Sequence, residues 1–243
     1  MMAQSAASAE SKFLSLGKHR AIVAESVDDV LEELGLPSYP DNLDICCPVP
    51  EDWSLEPEAK AILMAIIENT NCSSYVEVGA HRGQTGLAVA RIMSAAGSGK
   101  VYAIEPELEL AAEIENIAKA EQLPVTVISS SSWEAFNNWG REMIDVILVD
   151  GDHSLAATVF DIAAWSTLLA PNGWLIVHDT LTRLTRRFPE DYLPLPELFD
   201  IIDVVGMRQR PSGQSWEGIA FLRWSSDVKS CVENRFVSKT ENQ

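Results

Sequence analysis

Glu77-Val78-Gly79-Ala80-His81-Arg82-Gly83-Gln84-Thr85-Gly86 joins the end of an apolar strand, residues 75–78, to the start of a helix, residues 84–95. Gly79 allows a tight turn with close ligand approach, and Gly83 lets the helix pack near the strand. The first turn of that helix offers backbone N–H groups with no partner inside the helix. Dinucleotide binding fits poorly, because His81 stands where GxGxxG has its second glycine. A phosphate loop fits worse, because no Gly-Lys-Ser/Thr follows.

Outward from this turn, strand and helix alternate. Residues 101–104, 125–128, 144–149 and 174–177 are short β-rich runs, and 106–120, 133–139 and 155–169 read as helices between them. Apolar runs joined by crossover helices indicate a parallel sheet covered on both faces. Residues 200–207 and 218–224, around a loop containing Arg210-Pro211-Ser212-Gly213, read as a terminal antiparallel hairpin. The expectation is a doubly wound α/β sheet of seven strands.

Upstream, Ser26 can cap a short helix whose Val27, Val30, Leu31 and Leu34 share a face. Asp28 and Asp29 suit its N-terminal dipole and Gly35 ends it. Pro37, Pro40, Pro48 and Pro50 make a linker carrying Cys46 and Cys47, and a second helix starts at Pro57, well placed as a first helical residue. The expected division is a helical N-terminal cap and linker over 1–55, a main domain over 56–224, and a loose tail over 225–243.

The 243 residues carry 18 basic and 36 acidic side chains, a net charge of −18. Such a surface repels phosphate backbones and anionic lipid, so nucleic acid and membrane are not expected partners. No apolar run reaches the roughly 18 residues of a membrane span. The start has no basic region followed by an apolar stretch, and so does not read as a secretory signal. Cys46, Cys47, Cys72 and Cys231 lack zinc-knuckle or redox-pair spacing, and are expected as reduced thiols in a cytoplasmic protein.

In open α/β sheets ligands bind at the carboxyl ends of the strands. The second strand ends in Glu105, 22 residues past Gly83, placed to accept hydrogen bonds from two ribose hydroxyls. With Glu77, Gly79, Gly83, Glu105 and the terminal hairpin in this order, residues 57–224 resemble the class I S-adenosylmethionine-dependent methyltransferases, a Rossmann-like fold. Val149-Asp150-Gly151-Asp152-His153-Ser154, then Asp161, Pro171-Asn172-Gly173-Trp174 and His178-Asp179-Thr180, resemble its small-molecule O-methyltransferase group, which uses EhGxxxG.

The resemblance implies that Glu77 and Gly79 line the methionine part of S-adenosyl-L-methionine. Ala80, His81, Gly83 and Thr85 supply the turn, and Glu105 holds the ribose. Ser130, Ser131 and Ser132 fall where the family usually has an adenine-contacting acid, with Trp133 flanking the ring.

At the ends of the fourth and fifth parallel strands, Asp150, Asp152, His153, His178 and Asp179 are expected to converge near the methyl group. A hydroxyl acceptor must lose its proton, and His153 is the first candidate base, His178 the second. Asp150 and Asp179 also suit Mg²⁺, although Thr180 stands where metal-using relatives carry Asn. Asp150, His153 and His178 can alternatively be read as a two-His-one-carboxylate iron site, which would make the enzyme an oxygenase on the same fold. A third reading is a non-catalytic cofactor-binding subunit. Arg183, Arg186 and Arg187 border the acceptor mouth, and residues 189–196 with Tyr192 read as a lid. The acceptor is expected to be a small molecule, and a docked N-terminal arm makes a homodimer a reasonable expectation.

Overall fold

The computed structural model of the chain describes residues 18–38, 55–97, 99–140, 142–181, 188–189, 195–226, 228–230 and 232–233. Five parallel strands stand where the periodicity puts them: β2 (Ser74–Val78), β3 (Lys100–Ile104), β4 (Val125–Ile128), β5 (Ile144–Val149) and β6 (Leu169–His178), with β7 (Phe199–Met207) and β8 (Ile219–Trp224) as the antiparallel hairpin. An eighth strand joins them. β1 (His19–Ala24) runs parallel to β7, and the sheet order is β1-β7-β8-β6-β5-β2-β3-β4. Within the segment expected as a helical cap, the described residues thus supply an edge strand as well as a helix. Its sequence, HRAIVA, is exposed over most of its length and shows no alternation to give it away.

The helix α1 (Val27–Leu34) forms as its end signals demand. The Asp29 carboxylate accepts from the Glu25 and Ser26 N–H groups at 2.8 and 3.2 Å. Gly35 adopts φ 71°, which lets Leu36 N–H reach the Leu31 carbonyl at 2.8 Å and close the helix. The next helix, α2 (Pro57–Asn69), is buried on nearly every side, wedged between α1 and the sheet. Its Glu58 accepts from the Ser212 backbone N–H and hydroxyl at 2.9 and 2.8 Å, fastening the β7–β8 loop to the helix.

α1, α2 and α3 (Gln84–Ala95) cover one face of the sheet, and Ile114 and Ala118 of α4 (Leu108–Glu121) extend that layer over β3. On the other face α5 (Ser132–Asn138) and α6 (Leu155–Ser166) pack around the fully buried Trp165. α6 ends three residues earlier than its periodicity suggests, because Leu169 already pairs with Ile144 of β5 and Pro171 cannot continue a helix. At the start of the expected loose tail, Ser225 is buried and its carbonyl accepts from Lys229 N–H at 2.8 Å, as in a helical turn. Cys46, Cys47, Cys231, Arg183, Arg186, Arg187, Tyr192 and most of 189–196 lie outside the described residues. Cys72 is buried, and burial, with Asp145 adding to it, pushes its thiol up to about 12.

Candidate active site

The strand order reverses at β2 and β5, so the loops after these strands diverge over a crevice. They touch at its base. Gly79 has φ 88°, and a Cβ placed there would lie 2.4 Å from Gly151 Cα and 2.5 Å from the Asp150 carbonyl. Only glycine permits that approach. A cavity of about 1230 Å³ opens above it, its wall including Gly79, His81, Glu105, Trp133, Asp150 and His178. That exceeds the usual 300–1,000 Å³ of a single-ligand site and leaves room for two small molecules side by side.

One end of the cavity is built to face hydroxyl groups. His81 adopts φ 48°, turning its backbone N–H to the Glu105 carboxylate at 2.7 Å, and Glu107 N–H meets the other oxygen at 2.9 Å. Both oxygens are thereby oriented while keeping acceptor capacity towards the cavity. Ser131 caps α5, accepting from Glu134 N–H at 3.3 Å. Trp133 stands 59% exposed, its ring 4.9 Å from that of Phe160. These groups and the glycine cradle fit an adenosyl ligand.

The other end holds a cluster of acids and imidazoles. His178, at the end of β6, is buried among three carboxylates, with Asp179 Oδ1 3.4 Å from its Nδ1. Its Nε2 lies 2.6 Å from Glu56 Oε2 and its Nδ1 3.0 Å from Asp150 Oδ1. Burial alone would favour the neutral ring, but the Asp150 and Glu56 charges and hydrogen bonds outweigh it and hold the imidazole well above its usual range. His178 is therefore an imidazolium with both nitrogens engaged, and neither is free to take a proton or a metal. This removes it as second candidate base and breaks the two-His-one-carboxylate set.

His153 differs. It is half-buried, and its Nε2 lies 3.0 Å from Asp179 Oδ2 and 3.8 Å from Asp150 Oδ1. Asp179 adopts φ 58°, a left-handed conformation that Asp tolerates, at the turn after β6. If Nε2–H donates to Asp179, Nδ1 is the accepting nitrogen, and no described residue bonds it. The nearby Asp150 and Asp179 carboxylates raise the His153 pKa, and partial burial opposes that without cancelling it. Burial pushes Asp179 up to about 6, whereas the two imidazoles hold Asp150 below the usual carboxylate range against its burial.

The third acid of this cluster is Glu56, not Asp152. Asp152 is exposed, and its Oδ1 accepts from Ser154 N–H at 2.8 Å at the start of α6. Glu56 gave no functional signal in sequence, since an acid just before Pro57 reads as a helix-dipole residue. Its other oxygen accepts from Glu217 N–H at 2.7 Å.

Five other expected site residues do not line the cavity. Glu77 is buried at the end of β2, where burial and the Asp150 charge push it up to about 8. Ala80 and Thr85 are buried, Gly83 packs on Ile114, and the Ser130 hydroxyl donates to the Ser131 carbonyl. Ser132 does line it, but its hydroxyl is committed to Asp161 and to Trp165.

Asp150, His153 and Asp179 each offer one ligand atom, all within 4.8 Å of one another. Two carboxylates and an imidazole fit a divalent transition ion better than Mg²⁺, which favours oxygen donors throughout. Thr180 adds nothing to this set, since its buried hydroxyl donates to Asp203 at 3.0 Å.

The fold is that of the class I S-adenosylmethionine-dependent methyltransferases, and the site resembles theirs. Residues 76–180 match the model of the family described as Methyltransferase domain. The O-methyltransferase from Bacillus cereus, solved in complex with SAH, has the same fold at 16% identity and a TM-score of 0.57, covering 82% of this chain and 89% of that one. The SAH-bound Podospora anserina methyltransferase PaMTH1 matches at 13% identity and a TM-score of 0.56, covering 85% of this chain and 100% of that one. No curated protein sequence matches the chain. Among the described residues, no helix is long and apolar enough to cross a membrane.

Proposed function

We propose that this chain methylates a hydroxyl oxygen of a small molecule in the cytoplasm. The observation that carries the reading is the His153–Asp179 pair, with an open imidazole nitrogen, in the same cavity as the Glu105 loop. The SAH held by the two neighbours supports the choice of cofactor.

Bound S-adenosylmethionine supplies an electrophilic methyl on a sulfonium. The Gly79 loop and Glu105 would hold the two ends of that ligand. His153 Nδ1 accepts the proton of the acceptor hydroxyl, and Asp179 orients the ring and stabilises the imidazolium that results. The bound donor would supply the methyl carbon to the freed oxygen while the S–C bond pair stays on sulfur, so charge would balance without an added reactant. His178 fixes the Asp150 carboxylate beside His153.

Replacing His153 by Gln is expected to lower kcat by about 10²- to 10⁴-fold, while SAH affinity by calorimetry stays within about threefold. Because the base must be neutral and its pKa is raised, the wild-type rate climbs with pH through a value above 6.5, and the variant loses that limb. Turnover is read on a panel of phenols and alcohols. Absence of SAH binding to the wild type overturns the reading, and binding without turnover on any hydroxyl favours the non-catalytic subunit.

The 4.8 Å grouping of Asp150, His153 and Asp179 favours a second reading in which these residues hold a divalent ion. The ion would acidify a hydroxyl as a Lewis acid. Titration with Mn²⁺, Zn²⁺ and Mg²⁺ tests it. Saturable binding lost in Asp179→Asn supports the ion, and no heat with any of the three rejects it.

A further inference from the structure

Asp161 belongs to α6 and has no part in the chemistry above, yet it forms part of the cavity wall. It is 3% exposed, and its Oδ1 accepts from the Ser132 hydroxyl. That hydroxyl in turn accepts from Trp165 Nε1 at 2.8 Å, so its one proton is committed to Asp161. Trp165 is fully buried, which anchors the chain of bonds and fixes the plane of the carboxylate. The second oxygen, Oδ2, has no partner among the described residues. A ligand that fills the cavity and shuts water out must bring a donor to that oxygen or leave it unpaired at a cost.

The surroundings indicate what brings that donor. Trp133 and Phe160 present aromatic surface beside it, 4.9 Å apart, suited to packing on a flat ring. Glu105, oriented to accept from sugar hydroxyls, is in the same cavity wall. A planar ring carrying an exocyclic amino group and joined to a sugar is an aminopurine nucleoside. We infer that Asp161 Oδ2 accepts a hydrogen bond from the adenine amino group of the adenosyl ligand, with Ser132 positioning the carboxylate rather than touching the base. The inference rests on the cofactor reading above and assigns the adenine contact to a side chain of α6 instead of the serine run after β4. Burial, reinforced by the nearby Asp152, pushes Asp161 up to about 6 against the opposing hydrogen bond from Ser132.

The test is calorimetric titration of wild type and Asp161→Asn with SAH and with S-inosylhomocysteine, in which a carbonyl oxygen replaces the amino group. Wild type is expected to prefer SAH by about 30-fold, because the analogue sets an acceptor against a carboxylate. Asp161→Asn can present either an oxygen or an N–H, and is expected to shrink the preference to about threefold or less. The wild-type comparison needs no variant to fold. Equal affinity for both ligands overturns the adenine assignment while leaving the cofactor reading intact. An unchanged preference in Asp161→Asn overturns it too. Failure to bind either ligand sinks the cofactor reading, and the assignment with it.

Discussion

Gly79→Ala is expected to remove SAH binding and to lower the melting temperature by roughly 8–16 °C. At φ 88° an alanine is strained whatever surrounds it, at about 1–2 kcal/mol. Its Cβ would also sit 2.4 Å from Gly151 Cα, 2.5 Å from the Asp150 carbonyl and 2.7 Å from Gly151 N. These are backbone atoms at the ends of two central strands, held by Asp150 N–H to Val78 O at 2.9 Å, and cannot turn aside as a side chain does. Together the effects come to about 4 kcal/mol, and a chain of this size loses about 2–4 °C per kcal/mol.

Two neighbours calibrate the expectation. Gly97→Ala has nothing within 4 Å of its Cβ at φ 75°, so it bears the conformational strain alone. Gly83→Ala meets only the Ile114 side chain, at 2.8 Å, which can shift. Scanning calorimetry of the three variants decides. A melting temperature for Gly79→Ala equal to that of Gly97→Ala would show that the two loops are not in contact.

The difference between these glycines also shows what sequence can and cannot reveal. Gly79 and Glu105 were legible because a strand end, a turn and a helix start lie within a few residues of each, and local rules set their roles. The caps of α1 at Ser26, Asp29 and Gly35 were legible for the same reason. β1 was not, since an edge strand of HRAIVA gains its order by pairing with β7, about 180 residues away. Asp161 was visible as part of a motif, but its open oxygen depends on how α5 packs on α6. The histidines were found together and their roles were not separable. What distinguishes His153 from His178 is Glu56, 122 residues before the histidine it holds, and no spacing rule spans such a gap.

Glu56→Ala is the second large expected loss, about 3–5 kcal/mol near pH 5.5, because it leaves a buried imidazolium without the closest of its three carboxylates and the Glu217 N–H without an acceptor. The pH dependence separates this pair from ordinary packing. Burial opposes the charged form of Glu56, but the hydrogen bond and charge of His178 prevail and lower its pKa below 4.5. Its contribution is thus complete above pH 4.5 and fades as pH falls through the lowered value. His178 is raised well above 6.5, so its contribution is complete below pH 6.5 and fades as pH rises through the raised value. Wild type and variant are therefore expected to differ most between about pH 4.5 and 6.5, and to converge on both sides. Urea unfolding of the two proteins from pH 3.5 to 9 measures that gap, and a gap of constant size would mean that no ion pair forms there. The same substitution frees His178 to rotate away from Asp150, so the carboxylate beside His153 loses its fixed orientation. Methyl transfer should then fall more than the residual folded fraction accounts for, and this excess isolates the positioning role of Glu56 from its structural one.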